Sequence, residues 1–199
     1  DKITLLTNTV LERSSRNAGN FDVILRKKPD YIDPEKGTSC GKCTQACPSF
    51  APDEWNEGLN NRKAVYKPFP QAVPSTYTLD DDSCIKCGAC INVCPTNAIN
   101  LDAIDEIISL TVGAVVIATG HQRFDTNKRS EYGHPFYEDV LSQMQLARLM
   151  GINGPTNGHL QVPSTGKVPR RVVMIQCVGS RDQMPDGHKY CSKVCCMVA

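Results

Sequence analysis

Four cysteines at Cys84, Cys87, Cys90 and Cys94, followed at once by Pro95, make the spacing C-x2-C-x2-C-x3-C-P. Thiolates so placed are ligands for iron–sulfur cubanes: the first three surround one [4Fe–4S] cluster, and the fourth, on the short helix behind, reaches a second. The tight Cys-x-x-Cys turns bring sulfurs together. Gly88 lets the backbone approach inorganic sulfide and donate N–H groups to it. A zinc ribbon is the competing assignment, but zinc takes two separated cysteine pairs and has no use for four regular thiolates before a proline.

Upstream, Cys40-Gly-Lys-Cys43-Thr-Gln-Ala-Cys47-Pro48 repeats the last three-quarters of that motif. Two-cluster ferredoxins are built as such duplications, with one ligand exchanged between halves. The exchange assigns Cys84, Cys87, Cys90 and Cys47 to a cluster B, and Cys40, Cys43 and Cys94 to a cluster A. The fourth ligand of cluster A is expected three residues before Cys40, where the chain has Gly37. Three outcomes follow: a [3Fe–4S] cluster; a cubane whose open iron takes water, a carboxylate (Asp33 or Glu35) or an outside thiolate; or no cluster. An occupied, atypical cluster is favoured, because three free thiols with no role would be oxidisable.

A third group, Cys177, Cys191, Cys195 and Cys196, fits no standard template. Cys191 and Cys195 stand i,i+4 and share a helical face. A metal cluster, a redox disulfide, buried structural thiols and a vicinal Cys195–Cys196 disulfide are all compatible with this spacing.

Composition narrows the classes. The chain has 11 cysteines in 199 residues, an odd number that cannot all pair, in a chain too long for a small secreted scaffold. Lys+Arg number 22 against 21 Asp+Glu, which excludes a polyanion binder working by bulk charge, and no basic cluster points to nucleic acid. No apolar run approaches the roughly 18 residues of a membrane span. No signal peptide is legible. The chain starts at Asp1 and stops at Ala199 inside an expected helix, so both ends read as cut. The four histidines (121, 134, 159 and 188) lack ligand spacing and read as solvated. P-loop and G-x-G-x-x-G motifs do not occur.

The elements that must position these cysteines are of two kinds. Lys2–Leu11 and Phe21–Lys28 read as a β-hairpin about a polar turn, Ser14–Asn20. Residues 38–100 are rich in Pro, Gly, Asp and Asn without sustained periodicity, as a small metal-held module would be. Trp55 and Tyr66–Pro74 are expected to pack around its clusters. Leu110–Thr119 and Arg171–Val178 read as buried strands, and Phe136–Met150 and Tyr190–Ala199 as helices. Strand and helix alternate, so the expected class is α/β. The simplest layout has three parts: residues 1–33, an inserted cysteine-rich module over 34–105, and a continuation over 106–199. Ala118-Thr119-Gly120, leaving the first of those strands, would place backbone against a cofactor.

The stretches VGAVVIATG, GPTNGHL, VVMIQCVGSRD and YCSKVCCM resemble the A chain of the heterodisulfide reductase family and its bacterial homologues. The intervening NEGLNNRKAVYKPFPQAVPSTYTLD is similar to the inserted ferredoxin region of that family. The resemblance runs from Leu5 onward. It implies a thioredoxin-reductase-like FAD domain interrupted by a two-cluster ferredoxin-like module, with the FAD pyrophosphate loop upstream of Asp1. It implies that Cys177, Cys191, Cys195 and Cys196 hold a further [4Fe–4S] cluster. It also implies a cytoplasmic protein passing electrons, in some members by flavin-based bifurcation, between a hydrogenase or dehydrogenase donor and heterodisulfide-reductase B/C-like subunits or ferredoxin. The disulfide itself is reduced on another subunit. The family pattern D-x-x-x-C-T-G-C-G-x-C is here D-P-E-K-G-T-S-C-G-K-C, so the departure falls at Gly37. The alternative function is a ferredoxin-type electron-transfer module without its own flavin; a metal-stapled scaffold is a third.

Overall fold

The structure is a computed structural model describing residues 2–17, 19–120, 122–134 and 136–198. It is mixed α/β and divides into two units: residues 1–51 with 61–119, and residues 52–60 with 120–199.

The first unit carries, in chain order, β1 (Thr9–Asn17), β2 (Asn20–Lys27), α1 (Lys42–Ala46), β3 (Phe50–Pro52), β4 (Asn61–Lys63), β5 (Val65–Tyr66), β6 (Thr78–Leu79), α2 (Ala89–Asn92) and β7 (Glu106–Val112). Strands β1, β2 and β7 form an antiparallel sheet with β2 in the middle, Val23 standing opposite Ser14 on one side and Leu110 on the other. The hairpin expected from sequence is present, but shifted. Its first strand begins at Thr9 and runs through Ser14–Asn17, which the sequence marks as turn. A strand tolerates polar residues where side chains pair across it. Ser15 Oγ lies 3.4 Å from Asp22 Oδ2, and Glu12 binds Arg26. The pairing register slips between Leu11 and Arg13, a bulge at Glu12.

Beside that sheet lies a small core of Ile32, Ala64, Val65, Leu79, Ala98 and Ile99 together with Cys43, Cys47 and Cys90. Two short antiparallel ribbons hold it. Val65 of β5 faces Leu79 of β6. Ile32 bridges Ile99, flanked by Asp33 N–H to the Ala98 carbonyl and Asn100 N–H to the Tyr31 carbonyl, each 2.9 Å. Three of the nine buried residues are cysteines, so sulfur–metal bonds would supply much of the cohesion that a larger apolar core supplies elsewhere.

Two expected strands are corrected. The run Leu110–Thr119 is a strand only as far as Val112, and Val116 and Ile117 beyond it are exposed. Arg171–Val178 forms no strand among the described residues, and it ends with Cys177 at φ 62° and Val178 in a turn. Such β-branched runs become strands when neighbours cover both faces, and the pattern records that preference without supplying the neighbours.

In the second unit, α3 (Gln143–Met150) is the later part of the helix expected over Phe136–Met150. Its start is fixed by a capping box: Ser142 Oγ accepts the Gln145 N–H at 3.1 Å, and Gln145 Oε1 accepts the Ser142 N–H at 2.9 Å. The final helix, α4 (Cys195–Val198), begins five residues later than Tyr190, and Ala199 lies outside the described residues. Arg148 of α3 donates from Nε and Nη2 to Asn56 Oδ1 at 3.0 and 2.9 Å. Trp55 stands by that guanidinium, 5.2 Å from ring centroid to Cζ.

Candidate metal centres

The two cysteine motifs are conformational as well as sequence repeats. Ser39 and Lys86 share a positive φ of 54° and 53°, and Gly41 and Gly88 one of 77° and 74°. Each glycine starts a one-turn helix, α1 or α2, whose first turn carries the next cysteine, Cys43 or Cys90. The left-handed turn costs glycine nothing and aims successive amides at one point. Superposing these landmarks sets Cys40, Cys43 and Cys47 on Cys87, Cys90 and Cys94. It sets Gly37 on Cys84.

Cys47, Cys84, Cys87 and Cys90 line one small, partly open pocket with Pro48, Ser49, Val65, Ile85, Gly88 and Leu101. Cys47 thus joins the second motif rather than its own. Burial pushes the Cys90 thiol up, and the neighbouring Cys84 and Cys47 add to it. The Lys86 N–H donates to Cys84 Sγ at 3.4 Å. Four thiols in an apolar pocket, with backbone donors aimed at sulfur, fit a cubane of iron and sulfide. Among the described residues no three His, Cys, Asp or Glu side chains converge on a single ion.

Cys40, Cys43 and Cys94 are the second set brought together. Burial raises the Cys43 thiol, with Cys40 and Cys94 contributing as neighbouring charges. Cys40 is held low by the Lys42 N–H and the Thr38 side chain. Burial raises Cys94, but N–H donors at Ala98 (3.3 Å) and Thr96 outweigh it and hold the thiol low. The Gly37 site contributes no side chain. Asp33 is engaged elsewhere, accepting the Glu35 N–H at 2.9 Å and meeting Lys36 Nζ at 3.1 Å.

The loop that opens the second motif has its own support, invisible in the cysteine spacing. Asp80 accepts from Arg62 Nη2 at 2.9 Å and from Ser83 Oγ at 2.6 Å, and Ser49 Oγ donates to the Ser83 carbonyl at 2.5 Å. These contacts tie the residue before Cys84 to the one after Pro48.

The third cysteine group is less gathered. Cys177 and Cys195 are half-buried and Cys191 and Cys196 exposed. The Cys177 and Cys191 segments do meet through backbone: His188 N–H donates to the Gly179 carbonyl at 2.9 Å and Arg181 N–H to the Tyr190 carbonyl at 3.2 Å. Cys191 also repeats the local geometry of Cys84: Lys193 N–H donates to its Sγ at 3.3 Å, with Lys193 at φ 58°. Arg129, buried and unremarkable in sequence, pins this loop through Asp182 and Asp186. Its signal would have been two aspartates four apart. His134, expected to be solvated, bridges Thr126 Oγ1 at 3.0 Å and Gln145 Oε1 at 3.3 Å. Ala118, Thr119 and Gly120 are exposed in open chain.

Comparison with known proteins agrees with the second motif. A 4Fe-4S binding domain family matches residues 77–100. The chain is 45% identical over 197 residues to the iron-sulfur A chain of the CoB–CoM heterodisulfide reductase of Methanocaldococcus jannaschii, covering 99% of this chain and 30% of that protein. It is 42% identical over 229 residues to the A chain of the ferredoxin:CoB-CoM heterodisulfide reductase of Methanosarcina acetivorans, covering all of this chain and 28% of the relative. The corresponding iron-sulfur protein of Methanopyrus kandleri is 49% identical over 181 residues, covering 91% and 27%. The chain therefore spans less than a third of the length of these relatives, and the resemblance to the heterodisulfide reductase A chain holds across it.

Proposed function

Taking the chain as the counterpart of one segment of the heterodisulfide reductase A chain, we propose that it is an electron-transfer segment of an iron–sulfur flavoprotein. Cys47, Cys84, Cys87 and Cys90 hold a [4Fe–4S] cluster B. Cys40, Cys43 and Cys94 hold cluster A, and Cys177, Cys191, Cys195 and Cys196 hold a third cluster. Bound clusters would supply one-electron steps at a potential set by burial, charge and hydrogen bonds to sulfur. The residues here provide those settings: apolar walls at Val65 and Leu101, and N–H donors from Lys86 and Ala98. The observation that carries the proposal is the position of Cys47, which lines the second motif's pocket.

The unpaired apolar runs 113–119 and 171–178 belong, on this proposal, to an FAD domain that the cysteine module interrupts at residues 34–105. A bound flavin would supply two-electron chemistry and bound clusters one-electron transfer, between a redox donor and partner subunits of a soluble cytoplasmic complex. The names of the relatives support a role beside a heterodisulfide reductase.

The test is anoxic purification of the full-length protein, with iron, sulfide and flavin counted together. Flavin absorbance with iron for three clusters in this segment is expected. Iron–sulfur absorbance without flavin would leave the ferredoxin-type wire in its place. Zinc without sulfide would overturn both.

A further inference from the structure

We propose that the position facing Gly37 is an exchangeable iron site: cluster A keeps three protein thiolates, and its fourth vertex takes a ferrous ion that carries no side-chain ligand. This rests on the proposal that the module holds iron–sulfur clusters, and it concerns only what completes the incomplete set.

The conformational repeat locates the vertex. With Ser39 matching Lys86 and Gly41 matching Gly88 in φ, the residue that stands for Cys84 in the first half is Gly37. Backbone geometry does not demand glycine there, since Gly37 is not among the positive-φ residues. A Cβ at this point would lie 3.1 Å from the Asp33 carbonyl oxygen and 3.3 Å from the Thr76 methyl. The Asp33 carbonyl and the Thr76 methyl would both have to give by a few tenths of an ångström to admit a side chain there.

Asp33, Thr38 and Ser39 are engaged elsewhere. The Asp33 carboxylate closes its own turn on the Glu35 N–H and the Lys36 ammonium. The Thr38 side chain is spent on Cys40, and Ser39 Oγ donates to the Ser75 carbonyl. Glu35 and Cys40 are exposed, so solvent and small ions reach this side of the cluster. A vertex held by bridging sulfides alone, next to water, is the one that gains and loses iron.

The exchange balances without an outside electron in one direction: [3Fe–4S] at charge 0 takes up Fe2+ and gives [4Fe–4S] at charge 2+. In the other direction ferricyanide removes one electron from [4Fe–4S]2+, Fe2+ leaves, and [3Fe–4S]+ stays on Cys40, Cys43 and Cys94. No sulfide is lost in either step.

The test uses the full-length protein purified without oxygen, read by EPR and by iron count. After ferricyanide the wild type is expected to show the oxidised three-iron signal, with one Fe2+ released per chain. Dithionite with added Fe2+ should abolish the signal and restore the iron. Gly37→Cys, alone and with Thr76→Ser to relieve the crowding, should retain that iron and lose the signal. Cys84→Ser should disturb cluster B and leave the signal. A wild type that retains all its iron, or a signal unchanged by Gly37→Cys/Thr76→Ser, would overturn the site. Absence of all iron–sulfur absorbance would instead overturn the cluster proposal beneath it, and this one with it.

Discussion

Arg129 and Asp182, 53 residues apart, are joined by a 2.9 Å contact from Nε to Oδ2. The same guanidinium reaches Asp186 Oδ1 from Nη1 at 3.1 Å, so one side chain spans the turn between Cys177 and Cys191. Phe124 lies 5.1 Å from Arg129 Cζ and shields it from one side. The third cysteine group is therefore presented by a loop whose shape depends on a residue nearly fifty positions upstream of its first cysteine.

Arg129→Gln is expected to loosen residues 181–190 and speed proteolysis there several-fold at neutral pH. The Met184 N–H and the Arg129 guanidinium hold the Asp182 carboxyl below the ordinary carboxylate range. A depressed acid supports the fold above its unfolded value, about 4, and loses that support as pH falls through its native value. The wild-type loop should loosen only in that acid range. Equal proteolysis of both proteins at pH 7 would refute the pin.

Asp80→Asn tests the brace behind Cys84. Burial raises the Asp80 carboxyl, but the Ser83 hydroxyl and Arg62 outweigh it and leave the acid below its usual range. The substitution should cost about 1–3 kcal/mol, read as a shift in denaturant midpoint. The sign again places the stabilisation above about pH 4, with loss as acid protonates Asp80. The difference between wild type and variant should therefore vanish at low pH.

Cys47→Ser and Cys94→Ser separate crossed from contiguous ligation. On the crossed assignment Cys47→Ser removes cluster B although it lies in the first motif, and Cys94→Ser removes cluster A although it lies in the second. EPR of the reduced and oxidised forms identifies which cluster is gone. The opposite pairing of variant and signal would require contiguous ligation.

Gly41→Ala and Gly88→Ala should differ. Both need a left-handed residue, costing alanine about 1–2 kcal/mol. A Cβ at Gly88 meets open space, whereas at Gly41 it comes 3.1 Å from the Tyr77 hydroxyl. Gly41→Ala should be the more destabilising, and Tyr77→Phe should remove the excess. Melting curves of the four variants decide it; equal losses would show that the hydroxyl yields without cost.

Ser142→Ala should cost about 1 kcal/mol by removing one half of the capping box on α3. The loss belongs to the second unit, so the iron–sulfur absorbance of the first two cysteine groups should not change. Hydrogen exchange at Gln145, whose N–H bonds Ser142 Oγ, would quicken.

Legibility followed the range of the interaction. Cys84–Cys94 could be read directly because metal geometry is written into residue spacing, and the gap at Gly37 could be read by counting. The strand Thr9–Asn17 could not, since its polar stretch becomes strand only by pairing with β2. Residues 113–119 and Arg171–Val178 failed in the opposite sense: the apolar pattern was plain, but no described residue pairs with it. Arg129 and Thr76 were silent because their partners are distant in sequence, Asp182 for one and Gly37 for the other.

The crossing of Cys47 and Cys94 has a consequence for the order of biosynthesis. On the proposed assignment neither half of the module owns a full set of ligands, so a nascent chain that has emerged only as far as Cys47 can load neither cluster. The first motif must wait, as free thiols, until the second has cleared the ribosome. Cluster delivery then comes as a late event that locks two finished halves together, and a chain broken between them would hand its iron back.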